Sequence, residues 1–232
     1  MKTATAIRRT ARRAGLLYLA MSVLAMVGFF QLRPLFYVAR DPAATARSIL
    51  AHESLYRISI VCDVVTQLLF VLVVLALYEL YEDVDRGLAR TMVAIVGTGI
   101  VAGFAGFALN FAPLVLLPSP TAAAVFGREQ LEALSFLALQ LGNRQGDLLT
   151  AIWGLWLFPF AVLTMRCGFL PRFLGVLLGL TGVAYVATSV TAVALPAQVA
   201  LVRTYAFPLY VGEFVVVLWL ALIGARPRAL AA

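Results

Sequence analysis

Metal-binding and redox side chains are nearly missing from this chain. His52 is the only histidine among 232 residues, and the two cysteines, Cys62 and Cys167, form no Cys-x-x-Cys pair. A zinc or haem centre needs several such ligands close together, so no metal site and no redox or nucleotide cofactor is expected. His52-Glu53 begins like a metalloprotease motif, but Tyr56 stands where the second histidine belongs. A Gly-x-Ser-x-Gly elbow, a Walker loop and a dinucleotide fingerprint are absent as well. No catalytic residue can be nominated, and an enzyme is the least favoured class of function.

Charge is scarce too. Asp, Glu, Lys and Arg make up 12% of the residues against 63% hydrophobic ones, too few to cover the surface of a soluble fold. Six long apolar runs fill the chain instead: Ala14–Leu32, Ile58–Leu80, Thr91–Leu117, Gly146–Met165, Leu174–Leu195 and Pro208–Gly224. A helix rises about 1.5 Å per residue, so about 20 apolar residues cross a hydrocarbon core of about 30 Å. The expected fold is all-α, an integral membrane bundle of six transmembrane helices. Spans and short loops use almost the whole chain, which predicts a single domain over residues 1–232.

The net charge of +7 does not point to nucleic acid, because the basic residues are not gathered with aromatics on a folded face. Lys2, Arg8, Arg9, Arg12 and Arg13 precede the first span, as on a cytoplasmic flank, where anionic lipid headgroups are the natural partner. The apolar stretch Gly15–Leu32 exceeds a typical signal-peptide core of 7–15 residues and lacks a small-x-small cleavage site. An uncleaved anchor is the expectation.

With the N-terminus inside, the inner loops and flanks hold eleven basic residues: Lys2, Arg8, Arg9, Arg12, Arg13, Arg86, Arg90, Arg166, Arg172, Arg226 and Arg228. The outer side holds seven: Arg33, Arg40, Arg47, Arg57, Arg128, Arg144 and Arg203. This imbalance predicts cytoplasmic termini in the inner membrane of the cell. The largest outer loops are then Arg33–Arg57 and Pro118–Gln145. In the first, Asp41-Pro42 supplies an N-cap and a first-turn proline ahead of the helix-permissive stretch Ala44–Leu55. In the second, Leu131, Leu134, Phe136, Leu137 and Leu141 cover one side of Gly127–Leu141, which predicts an interfacial helix lying on the membrane. Cys62 and Cys167 fall about a membrane thickness apart, too far to bridge each other within one subunit.

Small residues give a packing code. Gly99, Gly103, Gly106 and Asn110 recur on one face of the third span, and Gly175, Gly179, Gly182 and Ser189 on one face of the fifth. Such stripes let backbones approach closely, either within one subunit or in a homo-oligomer.

Polar residues inside the spans carry most of the functional information, since a charge in hydrocarbon costs at least about 2.5–3.5 kcal/mol on insertion scales. Ser59, Asp63, Thr66 and Gln67 share a face of the second span, and Gln140, Asn143, Arg144, Asp147 and Thr150 form a stripe leading into the fourth. Asn110 and Glu213 come from the third and sixth. Glu79 and Glu82, at the inner edge, are expected to be solvated. Under the assigned topology Asp63, Asp147 and Glu213 lie within about two turns of the outer ends of their helices, and Asn110 about two turns before its exit. Arg57, Arg144 and His52 sit just above as candidate counter-charges. The candidate ligand site is therefore Asp63, Gln67, Asn110, Arg144, Asp147, Glu213, Arg57 and His52. Two readings stay open: hydrogen-bonded glue between helices, and an outward-facing polar cavity for a small cation or polar ligand of unknown identity.

Several segments carry a resemblance. Asp41–Leu50 (Asp-Pro-Ala-Ala-Thr-Ala-Arg-Ser-Ile-Leu), Ser54-Leu55-Tyr56-Arg57 with Asp63, Gly168-Phe169-Leu170-Pro171-Arg172-Phe173-Leu174-Gly175-Val176-Leu177-Leu178, and Gly212-Glu213 with Leu218-Trp219-Leu220 are similar to the domain-of-unknown-function 4386 family of small bacterial membrane proteins. The Gly-Phe-Leu-Pro-Arg segment is the most specific piece. The resemblance implies a multi-helix integral membrane protein and supplies no activity. One departure is that Leu141-Gly142-Asn143-Arg144 stands near a place where a histidine is expected in relatives. Ligand binding, a structural or accessory role beside partner proteins, and an embedded enzyme remain, in that order.

Overall fold

The computed structural model describes residues 2–226, and every regular element among them is helical. The helices are α1 (Ala4–Ala25), α2 (Pro42–Ala51), α3 (Glu53–Tyr81), α4 (Arg86–Leu116), α5 (Pro120–Val125), α6 (Arg128–Leu155), α7 (Leu157–Arg166), α8 (Arg172–Ala194) and α9 (Val199–Leu218). Six helical stretches are long and apolar enough to cross a bilayer: Ala4–Leu35, Glu53–Tyr81, Arg86–Leu116, Arg128–Arg166, Arg172–Ala194 and Pro196–Ile223. Their surfaces invert the soluble pattern. Large apolar side chains such as Val61, Leu72, Val101, Val183 and Leu222 are exposed, while Ser59, Gln67, Thr181 and Thr188 are buried. Lipid-facing hydrocarbon with polar groups turned inward is the arrangement a bilayer selects, and the chain is a multi-pass membrane protein.

Local signals account for several boundaries. The Asp41 side chain accepts a hydrogen bond from the Ala44 amide at 2.8 Å, so α2 starts where its cap and proline predict. The long helix Arg128–Leu155 corrects the expected interfacial helix over 127–141. That segment runs on into the fourth span as one α6; of its apolar face Leu131 and Phe136 are buried in the protein, while Leu134, Leu137 and Leu141 stay exposed. No proline interrupts 128–155, so nothing ends the helix early. The break comes at Trp156, because Pro159 has no N–H to offer the Leu155 carbonyl.

Two compact units are distinguishable. One comprises Met1–Ala20, Leu69–Ile100 and Asp147–Ala232; the other comprises Met21–Leu68 and Val101–Gly146. The first has an aromatic core in which Trp156 lies 5.2 Å from Phe70 and 5.4 Å from Phe160 between ring centroids. Tyr81 is fully buried, shares a 2.8 Å hydrogen bond with Thr164 and stacks on Phe169. The Gly-Phe-Leu-Pro segment becomes intelligible here. Gly168 turns the chain at φ 72°, Phe169 and Leu170 plug the core, and Pro171 leads into α8. In the same unit a Cβ on Gly182 would come within 2.9 Å of the Gly154 carbonyl oxygen, so α8 and α6 touch backbone to backbone. Glu79 accepts from Arg13 and Thr10, and Glu82 pairs with Lys2 at 3.0 Å. These acids are partly exposed but also tie α1 to α3.

The second unit packs Phe36, Ile49, Tyr56, Leu114 and Leu139 together. Phe36 meets Tyr56 edge-on at 5.1 Å, and Tyr37 stacks on Phe136 at 5.2 Å. Gly106 lies against Gln145, and Gly142 lies against Asn110. Glycines of α4 and α6 thereby make room for a polar side chain of the facing helix.

Candidate functional site

The second unit gathers polar groups around one small cavity. Tyr56, Ser59 and Asp63 come from a single face of α3, Asn110 from α4 and Asn143 from α6. Arg33 enters from the turn Arg33–Leu35 that closes the first span. Phe36, Tyr37, Ile60 and Leu139 complete the wall, and the cavity measures about 20 Å³, room for one water-sized occupant.

The Arg33 guanidinium donates to the Asp63 carboxylate, whose side chain is only 9% exposed. The guanidinium carbon also lies 4.7 Å from the Phe29 ring centroid, which sandwiches the cation between a ring face and a carboxylate. Tyr56 donates its hydroxyl proton to the Asn110 carbonyl at 2.6 Å, and Ser59 donates to the Tyr56 carbonyl at 2.7 Å. Those hydroxyl donors are thus engaged. By contrast, the side-chain amides of Asn110 and Asn143 line the cavity with no hydrogen-bond partner among the described residues. Asn110 is buried at 6% exposure. Asn143 is exposed and can turn to water, whereas an unsatisfied buried amide costs about 1–3 kcal/mol, so Asn110 is the group an occupant would engage.

Asp63 and Asn110 are brought together as the sequence suggests, but with a different cation. Arg57 pairs instead with Glu53 at 2.7 Å, one helical turn earlier. It is six positions from Asp63 on the same helix, about 9 Å along the axis and on another face. His52 caps the end of α2, exposed, with a ring nitrogen 3.3 Å from the Ser48 carbonyl oxygen. Gln67 is buried one turn farther along α3. Arg144 is exposed on α6 beside Asn143.

Asp147 and Glu213 belong to the other unit, each with its own partner. Asp147 pairs with Arg203 of α9 at 2.5 Å. Glu213 accepts from two phenols, Tyr18 on one carboxylate oxygen and Tyr185 on the other, the latter at 2.9 Å. Tyr185 stacks on Tyr210 at 4.8 Å, and the Tyr210 hydroxyl is 2.5 Å from that of Thr188. Sequence reasoning missed Arg33, Arg203, Tyr18 and Tyr185. In the sequence both arginines flank spans and both tyrosines sit inside apolar runs, so nothing local marks them.

Comparison with known proteins gives a family and nothing more. The model of the family described as "Domain of unknown function (DUF4386)" matches residues 13–224. No curated protein and no solved structure matches the chain.

Proposed function

Since the chain belongs to the DUF4386 family, whose description names no activity, we propose that this multi-pass membrane protein binds a small polar ligand in the cavity of Arg33, Asp63, Asn110 and Asn143. Its membrane is the cytoplasmic membrane of a bacterium, both termini lie in the cytoplasm, and the cavity faces outward. The excess of basic residues on the N-terminal side supports that orientation. Arg226 of that set lies three residues beyond the last span, and Arg228 is outside the described residues.

The observation that carries the reading is the unengaged side-chain amide of buried Asn110, which with exposed Asn143 lines a cavity floored by an ion pair. Arg33 already compensates Asp63, so a cation would have to compete with a guanidinium for the carboxylate. A neutral ligand that places one water-sized polar group in the cavity meets no such opposition. It can accept from and donate to both amides, which present donors and acceptors alike.

Thermal unfolding of the purified protein tests this against sodium, potassium, ammonium, formamide and glycerol. A ligand at 100 times its Kd stabilises by about 2.7 kcal/mol, and Asn110→Leu should abolish that gain while the protein still folds. A panel that never shifts wild-type melting would exclude binding of these compounds.

A structural role is the second reading. It is favoured by the intramolecular partners of Asp147 and Glu213, which tie helices of one unit together. Under that reading Asn110→Leu leaves every ligand response as it was and alters stability alone.

A further inference from the structure

An open groove of about 560 Å³ runs beside the start of α1 and the end of the last span, lined by Ala4, Thr5, Arg8, Leu222, Ile223, Ala225 and Arg226. Its size falls in the range of small-ligand sites, about 300–1,000 Å³. The lining has two chemistries, and both point to one class of molecule. Arg8 and Arg226 are exposed cations, and among the described residues neither has an ion-pair partner. Nearby basic residues differ: Lys2 is held by Glu82 and Arg13 by Glu79. Arg12, one turn after Arg8, lays its side-chain stem against Gly224, where the chain turns at φ 71°. Two arginines thus line the end of the last helix, with the stem of a third packed beside them and no carboxylate in the lining.

The other chemistry is apolar. Leu222 is 67% exposed in the last turn of the span, so the groove opens onto the hydrocarbon-facing surface. Arg226 follows the span by three residues, and Arg8 precedes the apolar stretch from Gly15 by about two turns. Both guanidinium groups therefore sit at headgroup depth, above an apolar floor at acyl depth.

We propose that this groove is a binding site for an anionic phospholipid, with its phosphate on Arg8 and Arg226 and the start of an acyl chain along Leu222 and Ile223. A free phosphate would satisfy the arginines and leave the apolar half unused. A zwitterionic lipid would cover the apolar half but bring an ammonium group toward the two arginines.

The full chain, purified in dodecyl maltoside, tests the proposal by native mass spectrometry and thermal unfolding with added phosphatidylglycerol, phosphatidylcholine or inorganic phosphate. Retention of phosphatidylglycerol with a rise in Tm of about 2–4 °C is expected, and neither phosphatidylcholine nor inorganic phosphate should match it. Arg8→Gln with Arg226→Gln should weaken phosphatidylglycerol binding about tenfold or more. Arg9→Gln, outside the lining, should not. If the double glutamine variant fails to fold, Arg8→Lys with Arg226→Lys preserves the charge and should keep the selectivity. Equal retention of both lipids, equal stabilisation by inorganic phosphate, or a glutamine pair that binds like wild type would overturn the proposal.

Discussion

Arg33 reaches Asp63 across thirty positions of sequence, from the turn that closes the first span onto the buried face of α3. The pair matters because Asp63 is buried and its cation comes from a different helix. Removing one partner of a buried ion pair typically costs about 3–5 kcal/mol, since the other charge is left uncompensated. Arg33→Ala should therefore lower thermal stability severely. Arg33→Ala combined with Asp63→Ala should recover part of that loss. Strictly additive losses would show that the two side chains do not act together.

The close approach of α8 and α6 gives a sharper contrast. Gly182→Ala would drive a methyl group toward the Gly154 carbonyl, a backbone atom that cannot swing aside. A loss of about 1–3 kcal/mol is expected from such overpacking. Gly97→Ala, whose Cβ meets nothing within 4 Å, should be neutral or slightly stabilising, because alanine is the better helix former. Denaturant unfolding of the two variants side by side checks the direction of each change.

Glu213 binds two phenols, and each bond should be measurable on its own. Hydrogen bonds between membrane helices average about 0.6 kcal/mol in double-mutant cycles and reach about 1.7. A cycle between Tyr18→Phe and Glu213→Gln should give a coupling within that span, as should one between Tyr185→Phe and Glu213→Gln. Zero coupling in both would mean that the carboxylate is not held by the tyrosines.

The six spans were readable because length and apolarity are local properties, and the Asp41 cap was readable for the same reason. What escaped depends on which faces meet. Arg33 looks like a loop charge until the first span is packed beside α3, and Arg203 looks the same until α9 lies beside Asp147. Tyr18 and Tyr185 carry a polar hydroxyl on an apolar ring, so hydropathy hides their donors. The run of α6 back to Arg128 was obscured because polar Gln140, Asn143, Arg144 and Gln145 interrupt the apolar pattern without breaking the helix. Gln145 is accommodated by donating to the Ala102 carbonyl at 2.7 Å.

Cys167 lies just past the end of α7, and burial pushes its thiol above the usual cysteine range. Only the thiolate reacts with maleimides, so the fraction able to react at neutral pH is smaller than for an ordinary cysteine. Alkylation in a Cys62→Ser background should be slow at pH 7 and should keep accelerating as pH rises beyond the point where a free cysteine levels off. A rate equal to that of a free thiol at pH 7 would contradict the burial.

The outward-facing polar cavity is tested most directly by substituting Asn143→Cys in a background carrying Cys62→Ser and Cys167→Ser. Intact cells are then treated with a membrane-impermeant methanethiosulfonate reagent, with cysteines at positions 43 and 123 as loop controls. Modification of residue 143 from outside is expected, together with both loop controls, while Gln67→Cys, buried one turn deeper than Asp63, stays unmodified. Reaction at residue 143 only after permeabilisation would invert the topology, and no reaction under either condition would show that water does not reach the Asn143 side of the cavity.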